Sequence, residues 1–228
     1  VRNKVIWAKT NPTPSSVRDR LSCTYEVVYL LVREPQYYFD LDNIRQPLTS
    51  SAPRLSRTRG AAEPATASRP EWLGPNADAG QGLEAMHHRG LAGHPLGKNP
   101  GDVWRLSTSR YQGAHFATFP EHLIAPMLRA TCPERRCRAC LAPWHRPIRR
   151  LGALATRLAL QPTCGCDDDG ALAESHSEAG LVLDPYMGAG TTALAALHQG
   201  KDWLGIELNP QFIQLANTRL SADQQQQQ

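Results

Sequence analysis

Leu181-Val182-Leu183-Asp184-Pro185-Tyr186-Met187-Gly188-Ala189-Gly190-Thr191-Thr192-Ala193 decides how the rest of the chain is read. Its three apolar residues have the character of a buried strand. The strand stops at Asp184-Pro185, because proline has no N–H to give to a ladder. Gly188 and Gly190 allow a tight turn and close approach of the backbone to a ligand. Thr191 and Thr192 carry hydroxyls suited to capping a helix, predicted over 193–199 and ended by Gly200. The start of such a helix presents N–H groups and positive dipole character to a polar ligand.

Asp202-Trp203-Leu204-Gly205-Ile206 reads as the next strand, and it ends at Glu207. Gly188, Gly190 and Ala193 fit G-x-G-x-x-A, with an acid about 20 residues further on, where it takes ribose hydroxyls. Strand, loop, helix and acid together predict a site for an adenosine-containing cofactor. The competing reading of the same residues is a structural turn.

The chain has 228 residues and a formal net charge of +4, with a pI near 8.8. This length supports one domain with a real core, or two small ones. No apolar run approaches the ~20 residues that span a bilayer, and no secretory signal pattern is present, so the expected location is the cytoplasm. Arg129, Arg135, Arg136, Arg138, Arg146, Arg149 and Arg150 crowd one region, and Arg54, Arg57 and Arg59 another. A polyanionic partner and a solvated basic face both account for them. The first residue is Val1, which raises the expectation of a fragment.

The six cysteines of a cytoplasmic chain argue against disulfides and for either a metal site or unrelated reduced thiols. Cys137 and Cys140 form C-x-x-C, and Cys164 and Cys166 form C-x-C. Each pair supplies two adjacent corners of a tetrahedral zinc site, so the two together complete a structural four-cysteine set. Cys132 is a spare that could replace one of them. His145 and His176 read as surface residues, and Asp167-Asp168-Asp169-Gly170 as a solvated acidic turn.

Elsewhere, Val5-Ile6-Trp7 and the run 25–32 are predicted strands, and 36–40 a further strand forming a hairpin with 25–32. Residues 49–100 lack apolar periodicity and read as loop or disorder, with at most a short helix near 83–88. A helix is predicted over 121–130, with Leu123, Ile124, Met127 and Leu128 on one face. Another is expected within 148–160, and a last one over 210–220.

Taken together, these stretches resemble the amino-group DNA methyltransferases, which methylate N6 of adenine or N4 of cytosine with S-adenosylmethionine. Asp184-Pro185-Tyr186-Met187-Gly188-Ala189-Gly190-Thr191-Thr192 resembles the family's cofactor motif. Val5-Ile6-Trp7-Ala8-Lys9-Thr10-Asn11-Pro12, with Asp19-Arg20, Tyr25-Glu26, Tyr37-Tyr38-Phe39-Asp40 and Ile44-Arg45, is similar to the middle of phage and bacterial members. His115-Phe116-Ala117-Thr118-Phe119-Pro120 to Leu123 resembles the segment that closes over the cofactor's methionine end. The cysteine-rich insert is similar to one in some members.

The resemblance implies an α/β, doubly wound, Rossmann-like sheet with a small zinc-binding insert. Its segments would be central strands at 1–48, a variable target-recognition insert at 49–100 and a cofactor-closing segment and helix at 101–131. The cysteine-rich insert would occupy 132–170, the cofactor-binding β-α-β half 171–223 and a polyglutamine tail 224–228. By resemblance, Asp184 sits near the cofactor's amino-acid end above Gly188 and Gly190, and Pro185 and Tyr186 belong to the same motif. Thr191 and Thr192 start the helix, Glu207 takes the ribose, and Phe119 and Pro120 wall the methionine end. Lys9, Arg18 and Arg20 lie where members run near the catalytic pocket. The implied partner is double-stranded DNA.

The family's catalytic Asp/Asn/Ser-Pro-Pro-Tyr/Phe occurs nowhere in the chain. Because the cofactor motif comes last, the pattern resembles the permuted class, in which the catalytic motif precedes this region. The expectation is a C-terminal fragment with an incomplete sheet, inactive alone. Two other readings share parts of the pattern: a nicotinamide or flavin oxidoreductase, and a zinc-bearing DNA-binding module without catalysis.

Overall fold

The computed structural model describes residues 1–47, 94–108, 118–151, 154–166 and 176–226. These residues fall into two compact units, one made of Val1–Ile44, Pro100–Pro147 and Ala159–Gln228, the other of Arg45–Asn99 and Ile148–Leu158.

In the larger unit, β1 (Asn3–Lys9) pairs antiparallel with β2 (Tyr25–Leu30) and parallel with β3 (Val103–Leu106). The parallel partner was not evident from sequence, since Val103-Trp104-Arg105-Leu106 is too short to show a period. Trp7 anchors this sheet: it is 3% exposed, and its indole N–H donates to the Leu106 carbonyl at 3.0 Å. The predicted strand at 36–40 is absent. The hairpin partner of β2 is β1, and the chain bends through 33–36 before a 3₁₀ turn at Leu41–Asn43. Pro35 favours the bend, and the Asp40 carboxylate accepts from the Asn43 backbone N–H at 3.2 Å, a local cap that competes with extension.

The helix α1 (Glu121–Thr131) forms as the apolar spacing predicts, burying Leu123, Leu128 and Ala130, with Pro126 inside it. After α1 the chain enters the cysteine-bearing region, where β4 (Arg135–Cys137) pairs antiparallel with β7 (Ser177–Ala179). Then β8 (Leu181–Asp184), α2 (Thr191–Leu197) and β9 (Asp202–Gly205) make a β-α-β unit whose strands pair in parallel. Ala193, Ala195 and Ala196 are fully buried, which lets α2 lie close on Val182 and on Leu128 of α1. The final helix, α3 (Pro210–Gln226), runs past the expected 210–220 into the glutamines read as a tail. Glutamine is a good helix former, and residues 224–226 continue α3. Asn209 caps it, its side-chain oxygen accepting from the Gln211 N–H at 2.9 Å.

The α/β character is as expected, but the strands of this unit lie in separate sheets, β2-β1-β3, β4-β7 and β8-β9. Lys201 ties the start of β9 to the end of α1: its buried ammonium donates to the carbonyls of Cys132 at 2.7 Å and Pro133 at 3.2 Å. Burial pushes its pKa down, and burial likewise pushes the neighbouring Cys132 thiol up.

In the smaller unit, the predicted helix within 148–160 is replaced by a hairpin of β5 (Ile148–Leu151) and β6 (Leu154–Arg157). In β5 only Ile148 is partly covered, whereas along β6 the residues alternate, with Ala155 and Arg157 partly covered and Leu154 and Thr156 exposed. This period of two suits a strand and not a helix. The predicted short helix near 83–88 and most of the insert at 49–100 lie outside the described residues.

Candidate cofactor loop and metal centre

Between β8 and α2 the chain turns through Pro185-Tyr186-Met187-Gly188-Ala189-Gly190. Gly188 and Gly190 have φ of 51° and 78°, both in the left-handed region that glycine enters without penalty. Two side chains tie the loop down. The Asp184 carboxylate accepts from the Tyr186 N–H at 2.9 Å and from the Thr192 hydroxyl at 2.5 Å. Glu207, just past β9, accepts from the Gly188 N–H at 2.8 Å and from the Asn209 N–H at 2.8 Å. Two carboxylates at the ends of adjacent parallel strands therefore grip the loop from either side.

Met187, Gly188, Ala189 and Gly190 are buried, whereas Pro185 is exposed and Tyr186 is 87% exposed. The expected capping by Thr191 and Thr192 is not found. Gly190 is the N-cap residue and no side chain caps α2. Both threonines already belong to the first turn, where their hydroxyls meet other elements: Thr192 meets Asp184, and Thr191 accepts from Arg219 at 3.4 Å. Arg219, on α3, also donates to the Ala189 carbonyl inside the loop. The sequence carried no sign of this contact, since Arg219 reads only as a polar position of the last helix.

Asp184, Gly188, Gly190, Thr191, Thr192 and Glu207 thus form one connected site. Phe119 and Pro120 do not join it through any hydrogen bond. Buried Pro120 is the N-cap residue of α1, and the next residue, Glu121, reaches His198 at the end of α2 remote from the loop. His115, Phe116 and Ala117 lie outside the described residues. A separate open pocket of about 280 Å³ lies between β9 and α3, lined by Met187, Trp203, Gly205, Ile213 and Leu220 among others, with Glu207 at its rim.

The second candidate is the cysteine centre. The thiol sulfurs of Cys137, Cys140, Cys164 and Cys166 all lie within 4.8 Å of one another. Cys137 closes β4 and is 1% exposed. After it the chain makes a tight knuckle: the Leu141 N–H donates to the Cys137 carbonyl at 3.0 Å, and Leu141 adopts a left-handed φ of 61°. N–H groups of Cys140 and Ala139 aimed at the Cys137 sulfur lower its pKa to about 7. The crowding of Cys140, Cys164 and Cys137 pushes Cys166 up to about 12. Four thiols so close cannot all ionise by themselves, and a divalent cation among them removes that conflict. Cys132 is not a spare for this set: it is buried against Val182 and Leu128 in the core beside α2.

The arginines around the centre are mostly engaged. Arg146 makes a two-pronged bond to Glu134 at 2.8 and 2.6 Å, and Arg136 pairs with Glu178 at 2.7 Å. Arg135 and Arg138 donate to Ser177. These contacts brace β4 against β7, so this part of the basic run is structural. Likewise Lys9 pairs with Glu26 at 2.6 Å, and Arg20 with its neighbour Asp19 at 3.4 Å. His145 is exposed as expected, whereas His176 is partly buried.

Comparison with known proteins gives this geometry a family. Residues 1–139 and 170–218 match a family model described as DNA methylase, of the N6 and N4 type. The Type II methyltransferase M.Cfr9I of Citrobacter freundii is 23% identical over 223 residues, spanning 98% of this chain and 45% of that protein. M.SmaI of Serratia marcescens is 24% identical over 220 residues, spanning 96% of this chain and 46% of that protein. The chain therefore spans less than half the length of these relatives. The crystal structure of the M1.HpyAVI–SAM complex aligns with a TM-score of 0.43 and 15% identity, covering 96% of this chain and 61% of that one. The family match includes every residue that builds the strand, glycine loop and acid of the first site, and on it the chain belongs to the N6/N4 DNA methylase family.

Proposed function

We propose that this chain forms the cofactor-binding half of an S-adenosylmethionine-dependent DNA methyltransferase of the permuted class, acting on N4 of cytosine or N6 of adenine. The observation that carries the reading is the pair of carboxylates, Asp184 and Glu207, joined through one glycine loop. S-adenosylmethionine carries an ammonium at one end and a ribose diol near the other. Asp184 suits the ammonium and Glu207 the diol, and each carboxylate oxygen keeps a lone pair beyond those used on the loop. The backbone at Gly188 and Gly190 leaves room for close approach. Exposed Tyr186 offers a ring beside the loop, and Thr191 and Thr192 open the helix behind it. Phe119 and Pro120 enter as walls of the methionine end through the resemblance alone.

When bound, the cofactor supplies an electrophilic sulfonium methyl. The chain's own contribution is to hold and orient that ligand. A base amine is a poor nucleophile, since its lone pair is delocalised into the ring, and the target base must leave the helix stack at a cost of a few kcal/mol. The groups that accept from the amine in the family's Pro-Pro-Tyr/Phe motif are not among the 228 residues. We therefore assign this chain cofactor binding without methyl transfer by itself. Cys137, Cys140, Cys164 and Cys166 fit a structural zinc ion, with all four positions filled by protein and none left for catalysis.

One preparation tests the reading. Calorimetric titration should show binding of S-adenosylhomocysteine and not of NAD, with Asp184→Asn weakening it about tenfold through loss of a charge-assisted bond. The same protein with radiolabelled S-adenosylmethionine should leave duplex DNA unlabelled. Preferential NAD binding would sink the cofactor assignment, and robust labelling would sink the division of labour.

A further inference from the structure

Asp184 and Glu207 engage N–H groups of the glycine loop, but the loop's buried carbonyls need donors as well. The Met187 carbonyl takes the Gly190 N–H at 3.0 Å, and the Gly190 carbonyl takes the Leu194 N–H at 3.1 Å. The Ala189 carbonyl takes its donor from another element, Arg219 on α3. One guanidinium nitrogen, Nη1, reaches both this carbonyl and the Thr191 hydroxyl, the latter at 3.4 Å. That nitrogen carries two N–H groups, so each acceptor can have its own. A single side chain thereby joins the loop to the first turn of α2.

Packing brings the arginine there. Ala216 lies one turn before Arg219 on the same side of α3. It sits so close to the loop that a Cβ built at Gly190 would stand 3.1 Å from its own. Ala216 and Leu220 are buried, and so is Ala189, at 3% exposure. α3 therefore meets three successive residues: Ala189 and Thr191 through Arg219, and Gly190 through Ala216. Water has little access to Ala189, and a buried acceptor that loses its donor is costly. A loop that relieved this cost by turning the carbonyl outward would give up the φ of 51° at Gly188 and 78° at Gly190 on which its shape depends.

We propose that Arg219 is a positioning residue of the cofactor site: it fixes the Ala189 carbonyl, and with it the turn through Gly188 and Gly190, before the ligand arrives. The inference rests on the S-adenosylmethionine reading of the loop. Arg219 acts through the loop rather than on the ligand, so it sets the fraction of chains already in the binding shape, and apparent affinity scales with that fraction.

The test combines calorimetric titration of S-adenosylhomocysteine into the full chain with hydrogen exchange of residues 186–192. Arg219→Met keeps the apolar stem and removes the donors. It should weaken binding about tenfold and speed exchange of that segment in the free protein, as expected of a loop in the binding shape about a tenth of the time. Arg219→Lys keeps a cationic donor and should stay within about threefold of the parent. His198→Ala frees the same helix at Asp223, and it should leave both the affinity and the segment's exchange unchanged. Parent-like affinity in Arg219→Met would overturn the proposal. So would a loss as deep in Arg219→Lys, or in His198→Ala, since affinity would then follow neither the donor nor the loop. Should Arg219→Met not fold, the parent decides: its segment should be protected before ligand is added, and fast exchange that slows only with S-adenosylhomocysteine would reject the clasp. A parent that binds no S-adenosylhomocysteine rejects the cofactor site, whereas parent-like exchange in Arg219→Met rejects the clasp alone.

Discussion

At Gly190 a methyl group would stand 3.1 Å from the Ala216 Cβ, on a backbone whose φ is already +78°. The position is constrained twice, by a left-handed turn and by α3 lying directly over it. Gly190→Ala should therefore destabilise the fold by about 1–3 kcal/mol, read as a lower urea midpoint at unchanged slope. A midpoint equal to the parent's would show that the loop has another conformation available. This glycine was legible in the sequence because the demand for positive φ follows from the turn itself, and so were Asp184 and Glu207, which sit where two strands must end. What the sequence hid is how they are used. Glu207 bonds to Gly188 and to Asn209, and Arg219 reaches back to Ala189 from the last helix. Such contacts depend on where α3 packs, which no local pattern encodes.

Between elements, His198 is the clearest joint. It follows α2, and its Nδ1 lies 2.7 Å from Glu121 on α1 while its Nε2 lies 2.9 Å from Asp223 on α3. A neutral imidazole has one N–H and can serve only one of these carboxylates, so the geometry is that of the imidazolium. Hydrogen bonds to Glu121 and then Asp223 raise its pKa above the ordinary value. A folded-state pKa above the unfolded one means that the stabilisation is complete below about pH 6.5 and is lost as pH climbs through the raised value. The joint is partly exposed, so its contribution is on the order of 0.5–1 kcal/mol. Stability measured from about pH 6 to about pH 9 should fall by that amount, and His198→Ala should remove that part of the slope. A parent-like slope in the variant would assign the dependence to other groups. No sequence pattern announced this joint, because its three residues come from α1, the turn after α2 and α3. The hairpin at β5–β6 was missed for a different reason: 148–160 is short, apolar and basic, and such a run fits a helix or a strand until its burial is known.

At the scale of the whole chain, the β-α-β half is covered on one side only. Val182 is buried under α2, whereas its neighbours Leu181 and Leu183 are 44% and 58% exposed. The sequence read as a buried strand, because an unbroken apolar run is what covered parallel strands show. Which face finds a cover depends on residues far away in sequence, so the division into separate sheets was not legible. The cysteine centre was, since C-x-x-C and C-x-C fix the pairs and only their meeting needed the fold. That meeting joins chain segments on either side of 148–158, and the bridge between His145 and Gln161 closes the same excursion, with N–H···O distances of 2.9 and 2.8 Å in the two directions. Metal binding of this kind is coupled to folding, because the unfolded chain has no preformed site. Protein purified without chelator should contain about one zinc per chain, and stripping the zinc should lower the melting temperature. Replacing Cys137 and Cys140 by Ser should abolish zinc content, whereas Cys132→Ser should leave it intact, since that thiol lies in the core beside α2. Zinc retained in the double variant, or lost in the Cys132 variant, would show that the ligand set is wrong.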